Sequence, residues 1–210
     1  TDEITSRVVA EVDFSEDIMG YFALSKGFKP GGTNLTYGFS TQEELDAAGR
    51  PDSVLVDPMV FQVFEAETVE SVELGLKSTF ADGKARANLA AFSYTYENLQ
   101  FQATDPDPYR GGVANIPESE MSGLEIEFTG FVTDSLSIDM NLAFLESEVT
   151  SDYEVLDNVD AYQYFFGQED LRYGLRENVR GNQLAKTPEF TADILIKYET
   201  NLPSGNTLTT

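Results

Sequence analysis

Oily and polar residues alternate with a period of two along most of this chain, the repeat of a β-strand whose two faces meet different surroundings. Between residues 135 and 148, Leu136, Ile138, Met140, Leu142 and Phe144 share one face. Ser135, Ser137, Asp139, Asn141 and Ser147 share the other, with Ala143 and Leu145 as mild exceptions. Just upstream, Leu124, Ile126, Phe128 and Val132 alternate with Gly123, Glu125, Glu127 and Thr129, and only Thr133, Asp134 and Ser135 intervene. The two runs therefore predict a tight hairpin. A second hairpin is predicted where Val72, Leu74, Leu76 and Phe80 oppose Ser71, Glu73, Lys77 and Thr79 and lead into Ala81-Asp82-Gly83-Lys84, whose Asp-Gly pair suits positive φ. Its return strand, over about 84–101, starts with Ala85, Ala87, Leu89 and Ala91 on one face but places Phe92, Tyr94 and Tyr96 on the other. A bulge and an inward aromatic row both fit that switch. At the start, Ile4, Val8, Ala10, Val12 and Phe14 oppose Arg7, Glu11 and Asp13, and after Ser15-Glu16-Asp17 a strand returns from Ile18 to Phe28. Near the end, Phe190, Ala192, Ile194, Ile196 and Tyr198 oppose Glu189, Thr191, Asp193, Lys197 and Glu199, and Leu202-Pro203-Ser204-Gly205-Asn206 reads as a turn into one more strand.

The connections alternate in length. Those near residues 15, 82, 134 and 204 take a few residues, whereas those over about 29–66, 102–120 and 150–187 are long. Nothing in a soluble sandwich demands that every second connection be short, while outer-membrane barrels have short periplasmic turns and long extracellular loops. The strands also exceed the mean of about 5 to 6 residues in globular proteins and meet the roughly 9 to 11 needed to cross a bilayer at a tilt. Arg7, Glu11, Asp13, Glu73, Lys77, Glu125, Glu127, Asp139, Asp193 and Lys197 are spread along the polar faces, so those faces are wet. The expected fold is all-β, an antiparallel up-and-down transmembrane β-barrel in part, with seven strands and the stub of an eighth.

Composition narrows the chemistry. The chain of 210 residues has no Cys, His or Trp, which removes Ser-His-Asp triads, cysteine nucleophiles, imidazole bases and the usual zinc ligand sets. Thirteen Lys plus Arg stand against 37 Asp plus Glu, a formal net charge of -24. That balance opposes nucleic acid, whose binding needs basic side chains on phosphates. No stretch resembles a membrane-spanning helix, a test to which membrane strands are blind.

Three stretches resemble the β-barrel portion of TonB-dependent outer-membrane receptors: YFALSKGFKPGG at 21–32, ETVESVELGLKSTFADGKARANLAAFSYTYENLQ at 67–100, and SGLEIEFTG at 122–130 through GNQLAKTPEF ending at 190. The resemblance implies a barrel of about 22 strands around an N-terminal plug domain, of which residues 1–210 would be a fragment with the plug absent. It implies a bacterial outer-membrane setting, contact with outer-membrane lipid, energy from a TonB-type protein acting through the missing plug, and a small nutrient ligand such as a ferric siderophore. No cofactor, catalytic residue or resident metal is implied. It also implies that Gly31 and Gly32 end a strand and open a loop. A passive porin or structural outer-membrane barrel and a soluble carbohydrate-binding β domain remain as alternatives.

Ligand candidates fall in the third long connection, where Tyr162, Tyr164, Phe165, Phe166 and Tyr173 sit beside Arg172, Arg176 and Arg180. Aromatic planes with guanidinium groups suit a siderophore's aromatic rings, a sugar face or a hydrophobic ligand, and an extended hairpin packing its aromatics against neighbouring loops is the simpler explanation. The acids Glu43, Glu44, Asp46, Asp52 and Asp57, and Asp105 with Asp107, suit a divalent cation or simple solubility. Glu125 and Glu127 share a strand face in the manner of paired glycosidase carboxylates, though a polar wall needs no catalytic purpose for them. Asn34-Leu35-Thr36 matches a glycosylation acceptor that a bacterial envelope leaves unused.

Overall fold

The structure, a computed structural model, describes residues 3–34, 63–104, 111–156, 176–201 and 207–209, with the single residues 43 and 47. Twelve strands follow in chain order: β1 (Ser6–Ser15), β2 (Ile18–Lys29), β3 (Gly32–Thr33), β4 (Val63–Phe64), β5 (Glu67–Phe80), β6 (Ala85–Thr104), β7 (Gly111–Thr133), β8 (Leu136–Val149), β9 (Glu154–Leu156), β10 (Arg176–Asn178), β11 (Phe190–Asn201) and β12 (Thr207–Thr209). Eight of them form one antiparallel sheet in the order β1-β2-β5-β6-β7-β8-β11-β12, so each long strand pairs with the next one in sequence. Two small sheets, β3-β4 and β9-β10, sit at the roots of long connections.

Register shows why the alternation holds. Ala10, Phe22, Leu74, Ala91, Leu124, Phe144 and Phe190 are successive Cα partners across seven strands. A second row, Val12, Gly20, Leu76, Leu89, Ile126, Leu142 and Ala192, runs beside it. Both rows are wholly apolar on the same face. Among the described residues no second layer covers them: apart from β4 touching β7 and β9 touching β6, the strands contact chiefly their sheet neighbours. Leu74, Ile194 and Ile196 are 62%, 58% and 59% exposed, a surface that water would penalise and hydrocarbon accepts. Rows of the opposite parity carry the charges and amides, most densely in Asp13, Met19, Lys77, Asn88, Glu127, Asn141 and Asp193.

The short turns near residues 15, 82 and 134 form as the sequence predicts, and the predicted turn at 202–206 lies outside the described residues. Ala81, Asp82 and Gly83 all have positive φ, at 56°, 55° and 82°, and Lys84 N donates to Ala81 O at 3.1 Å. At the other two described hairpins the ladder shifts register just before the turn, at Phe14 and at Val132.

One expectation needs revision. The connection read as 102–120 is mostly strand, because β6 and β7 stay paired out to Thr104 and Gly111. A strand of 14 residues such as β8 is about 46 Å long and rises about 33 Å at a 45° tilt, enough for the roughly 30 Å hydrocarbon core. With 20 and 23 residues, β6 and β7 project well past that thickness.

Candidate functional site

Most candidates in the third connection, Tyr162, Tyr164, Phe165, Phe166, Arg172 and Tyr173, lie outside the described residues, as do Glu44, Asp46, Asp52, Asp57, Asp105 and Asp107. Arg176 is placed by its backbone in β10, opposite Leu156 of β9. Arg180 reaches back to Asp152 at the root of the same connection, Nη1 to Oδ2 at 3.4 Å. There Asn178 Nδ2 also donates to Asp152 Oδ1, at 2.9 Å. Arg180 therefore serves the base of this connection through an exposed ion pair.

The chemistry-bearing surface within the described residues is the polar wall of β2, β5, β6 and β7. Tyr21 on β2 lies across Gly75 of β5, its direct partner; a Cβ at position 75 would run into the Tyr21 ring. Glycine is required there because the ring occupies the space a side chain would fill. The Tyr21 hydroxyl donates to Glu73 Oε1 at 2.5 Å, and Lys77 Nζ stands 5.4 Å from the Tyr21 ring centroid, a cation–π contact. Across the next strand pair, Asn88 Nδ2 donates to Glu127 Oε2 at 3.0 Å, while Asn88 Oδ1 is buried without a partner among the described residues. Tyr21, Glu73, Lys77, Asn88, Glu125 and Glu127 line a recess of about 210 Å³ together with Ala90, Phe92 and Tyr94.

From the edge of this recess toward the long connections, Phe92, Tyr94 and Tyr96 climb β6 on the same face. Of the two explanations of their position, the register supports the aromatic row: from Ala85 to Glu97 every β6 residue has an unshifted partner on β7. Phe92 is buried with its ring over Gly123 of β7. Tyr94 stacks on Phe92 with centroids 4.9 Å apart and planes at 22°, and Tyr96 meets Tyr94 edge-on at 6.4 Å. Small neighbours leave room for the rings, since Tyr94 lies beside Ser71 and Tyr96 opposite Ser119. The mixed acid, aromatic and amide character of the wall fits neutral or cationic guests better than anionic ones.

At the long-connection rim, side-chain amides tie loop roots to β6 and β7. Asn34 Nδ2 donates to Val113 O at 2.7 Å, and Val113 N donates back to Asn34 Oδ1 at 2.9 Å. The amide nitrogen of the glycosylation-like triplet is thus spent on structure. Gln100 Nε2 donates to Pro30 O and to Glu65 O, each at 3.0 Å. Gly31, which lies just past β2 and opens the first connection, is packed so closely on the Phe64–Glu65 backbone that a Cβ would overlap it. The amide ties of this rim were invisible in the sequence, because an amide in a loop root carries no periodicity; Gly31 marked the loop entry, while Gly32, read with it, begins β3 instead.

Comparisons with known proteins agree with this geometry. A family model described as TonB dependent receptor-like, beta-barrel, matches residues 1–208. The probable TonB-dependent siderophore receptor PiuA of Acinetobacter baumannii is 32% identical over 89 residues, covering 42% of this chain and 11% of PiuA. Among solved structures, the ferric yersiniabactin uptake receptor FyuA of Yersinia pestis superposes with a TM-score of 0.62 at 16% identity, over 97% of this chain and 24% of FyuA. The ferric preacinetobactin receptor BauA of Acinetobacter baumannii gives 0.54 at 15% identity, over 94% and 23%. This chain therefore spans about a quarter or less of the length of these relatives and shares their barrel fold. It belongs to the TonB-dependent receptor β-barrel family, whose members reside in the bacterial outer membrane.

Proposed function

We propose that this chain is part of the barrel of a receptor that imports a ferric siderophore or another iron complex, with energy supplied by a TonB-type partner acting on a plug domain elsewhere in the longer protein. The observation that carries the reading is the division of one uncovered sheet into a hydrocarbon-facing side of unbroken apolar rows and an inner wall of aromatic, acidic and amide groups. The relatives supply the cargo class, because PiuA, FyuA and BauA are each described as receptors for siderophores or their ferric complexes. In this reading the rim and upper wall meet the ligand, and the wall below borders its route.

The test is uptake of radiolabelled ferric complexes by iron-starved cells that carry the full-length receptor as their sole iron receptor. Uptake is expected to stop when the proton gradient is collapsed. Persistence of uptake without the gradient would favour a passive pore and overturn the energised reading.

A further inference from the structure

We propose that Tyr94 and Tyr96, built up from Phe92, form a platform for the ring of an uncharged, ring-bearing ferric complex, and that the glutamates below it select against trianionic complexes. The inference rests on the transport reading and specifies its cargo.

Three observations carry it. First, the platform is preorganised: Phe92 is buried over Gly123 and serves as a base, with Tyr94 stacked on it and Tyr96 set edge-on above. Tyr94 and Tyr96 are only partly buried, so their π surfaces are offered without rearrangement, which lowers the ordering cost of binding. Second, neither hydroxyl has a hydrogen-bond partner among the described residues. On partly buried side chains, both remain available to a ligand oxygen. Third, the charge beside the platform is predominantly negative, three glutamates to one lysine in the recess it borders. Glu73 is the direct partner of Phe92, and Glu125 is that of Ala90.

The wall's cations are fewer or more distant, and the one that borders the same recess as Phe92 and Tyr94 is Lys77. Lys77 is engaged with the Tyr21 ring, and Arg86 lies still nearer the short-turn end, opposite Thr79. Arg7 shares the row of Tyr94 but stands three strands away, about 14 Å at the usual strand spacing. That exceeds the screening length of about 8 to 10 Å in a wet lumen. Lys29 is opposite Glu67 at the rim. A ferric tris-catecholate, which is trianionic, meets repulsion here, whereas a neutral ferric complex with phenolate rings gains stacking and phenol hydrogen bonds.

The experiment measures equilibrium binding of three probes to the detergent-solubilised full-length receptor at low and physiological salt: a neutral ferric complex bearing phenolate rings, a neutral ferric trihydroxamate without rings, and a ferric tris-catecholate. The phenolate complex is expected to bind tightest. Tyr94→Ala and Tyr96→Ala should each weaken it about two- to tenfold, the range of a lost aromatic contact, and leave the trihydroxamate unchanged. Tyr94→Phe, which keeps the ring, should retain the stacking share of the affinity. Glu125→Gln should strengthen tris-catecholate binding, more so at low salt. Equal affinity of wild type for the tris-catecholate and the phenolate complex, or equal losses for both neutral probes in Tyr94→Ala, would overturn the platform alone. Failure of all three probes to bind would overturn the transport reading as well.

Discussion

Within β6, Asn98 stands where the ladder cannot close in the ordinary way. Glu97 pairs with Glu118 and Leu99 with Ile116, which leaves Asn98 opposite Pro117, a residue without an N–H. Asn98 takes a φ of 56°, a conformation that Asn tolerates better than most side chains. Its carbonyl accepts instead from Asn115 Nδ2 at 2.7 Å. The same amide donates to Glu65 O at 3.1 Å and its Oδ1 accepts from Glu65 N at 2.8 Å, so one side chain closes a gap in the sheet and pins a loop root. Asn115→Ala leaves the Asn98 carbonyl and the Glu65 N–H without these partners, while Glu65 O keeps Gln100 Nε2, and an orphaned group costs about 1–3 kcal/mol where water cannot replace the bond. The expected outcome is local: faster amide hydrogen exchange at Glu65 and through residues 99–102, with little change at Leu124 or Leu142. Uniformly faster exchange across the sheet would show that Asn115 supports the whole barrel instead.

Strands were legible in this sequence where each face meets one medium, and illegible where that condition lapses. Over Leu136–Phe144 the outer positions meet hydrocarbon and the inner ones water, so the alternation is clean. Beyond the apolar rows, residues 111–120 of β7 include Gly111, Gly112 and Pro117, which locally argue for a loop; pairing with β6 overrides them. The aromatic row of β6 was visible as a conflict of faces, and only register decided it. Contacts such as Tyr21 over Gly75 depend on which strands adjoin, which periodicity does not encode. The parity assignment has a consequence for β7. Arginine in place of Ile126 would sit in hydrocarbon at a cost of about 2–4 kcal/mol near the midplane, whereas Glu125→Arg, one residue away, would sit in the wet lumen. Folding of the two full-length variants into lipid vesicles, followed by urea titration, should show Ile126→Arg as the far less stable protein. Equal loss in both would contradict the assignment of faces.

Across the whole sheet, the apolar band does not follow the hydrogen-bonded rows; it crosses them. The row Val8, Leu24, Val72, Ser93, Ser122, Glu146 is apolar on β1, β2 and β5 and polar on β6, β7 and β8. At the opposite margin, the row Ile18, Ser78, Ala87, Phe128, Met140, Ile194 becomes larger and more apolar toward β11. One position nearer the long connections on the outer face, Ser6, Lys26, Glu70, Thr95, Glu120 and Glu148 are all polar, with Lys26 and Glu70 ion-paired at 3.0 Å. A membrane of constant thickness produces this drift only if the strands lean relative to its normal, as barrel closure requires. Residues in one row therefore stand at different depths. The chain has no cysteine of its own, so single cysteines can report depth once any in the rest of the receptor are replaced. Cysteine at Val72 should react with a membrane-soluble maleimide and resist a charged one, while cysteine at Glu146, in the same row three strands on, should react readily with the charged reagent. Ile194, one row beyond the paired apolar rows, should behave like Val72. If Val72 and Glu146 were labelled alike by the charged reagent, the strands would stand upright or the outer face would meet protein rather than lipid, and the tilted-barrel assignment would fail.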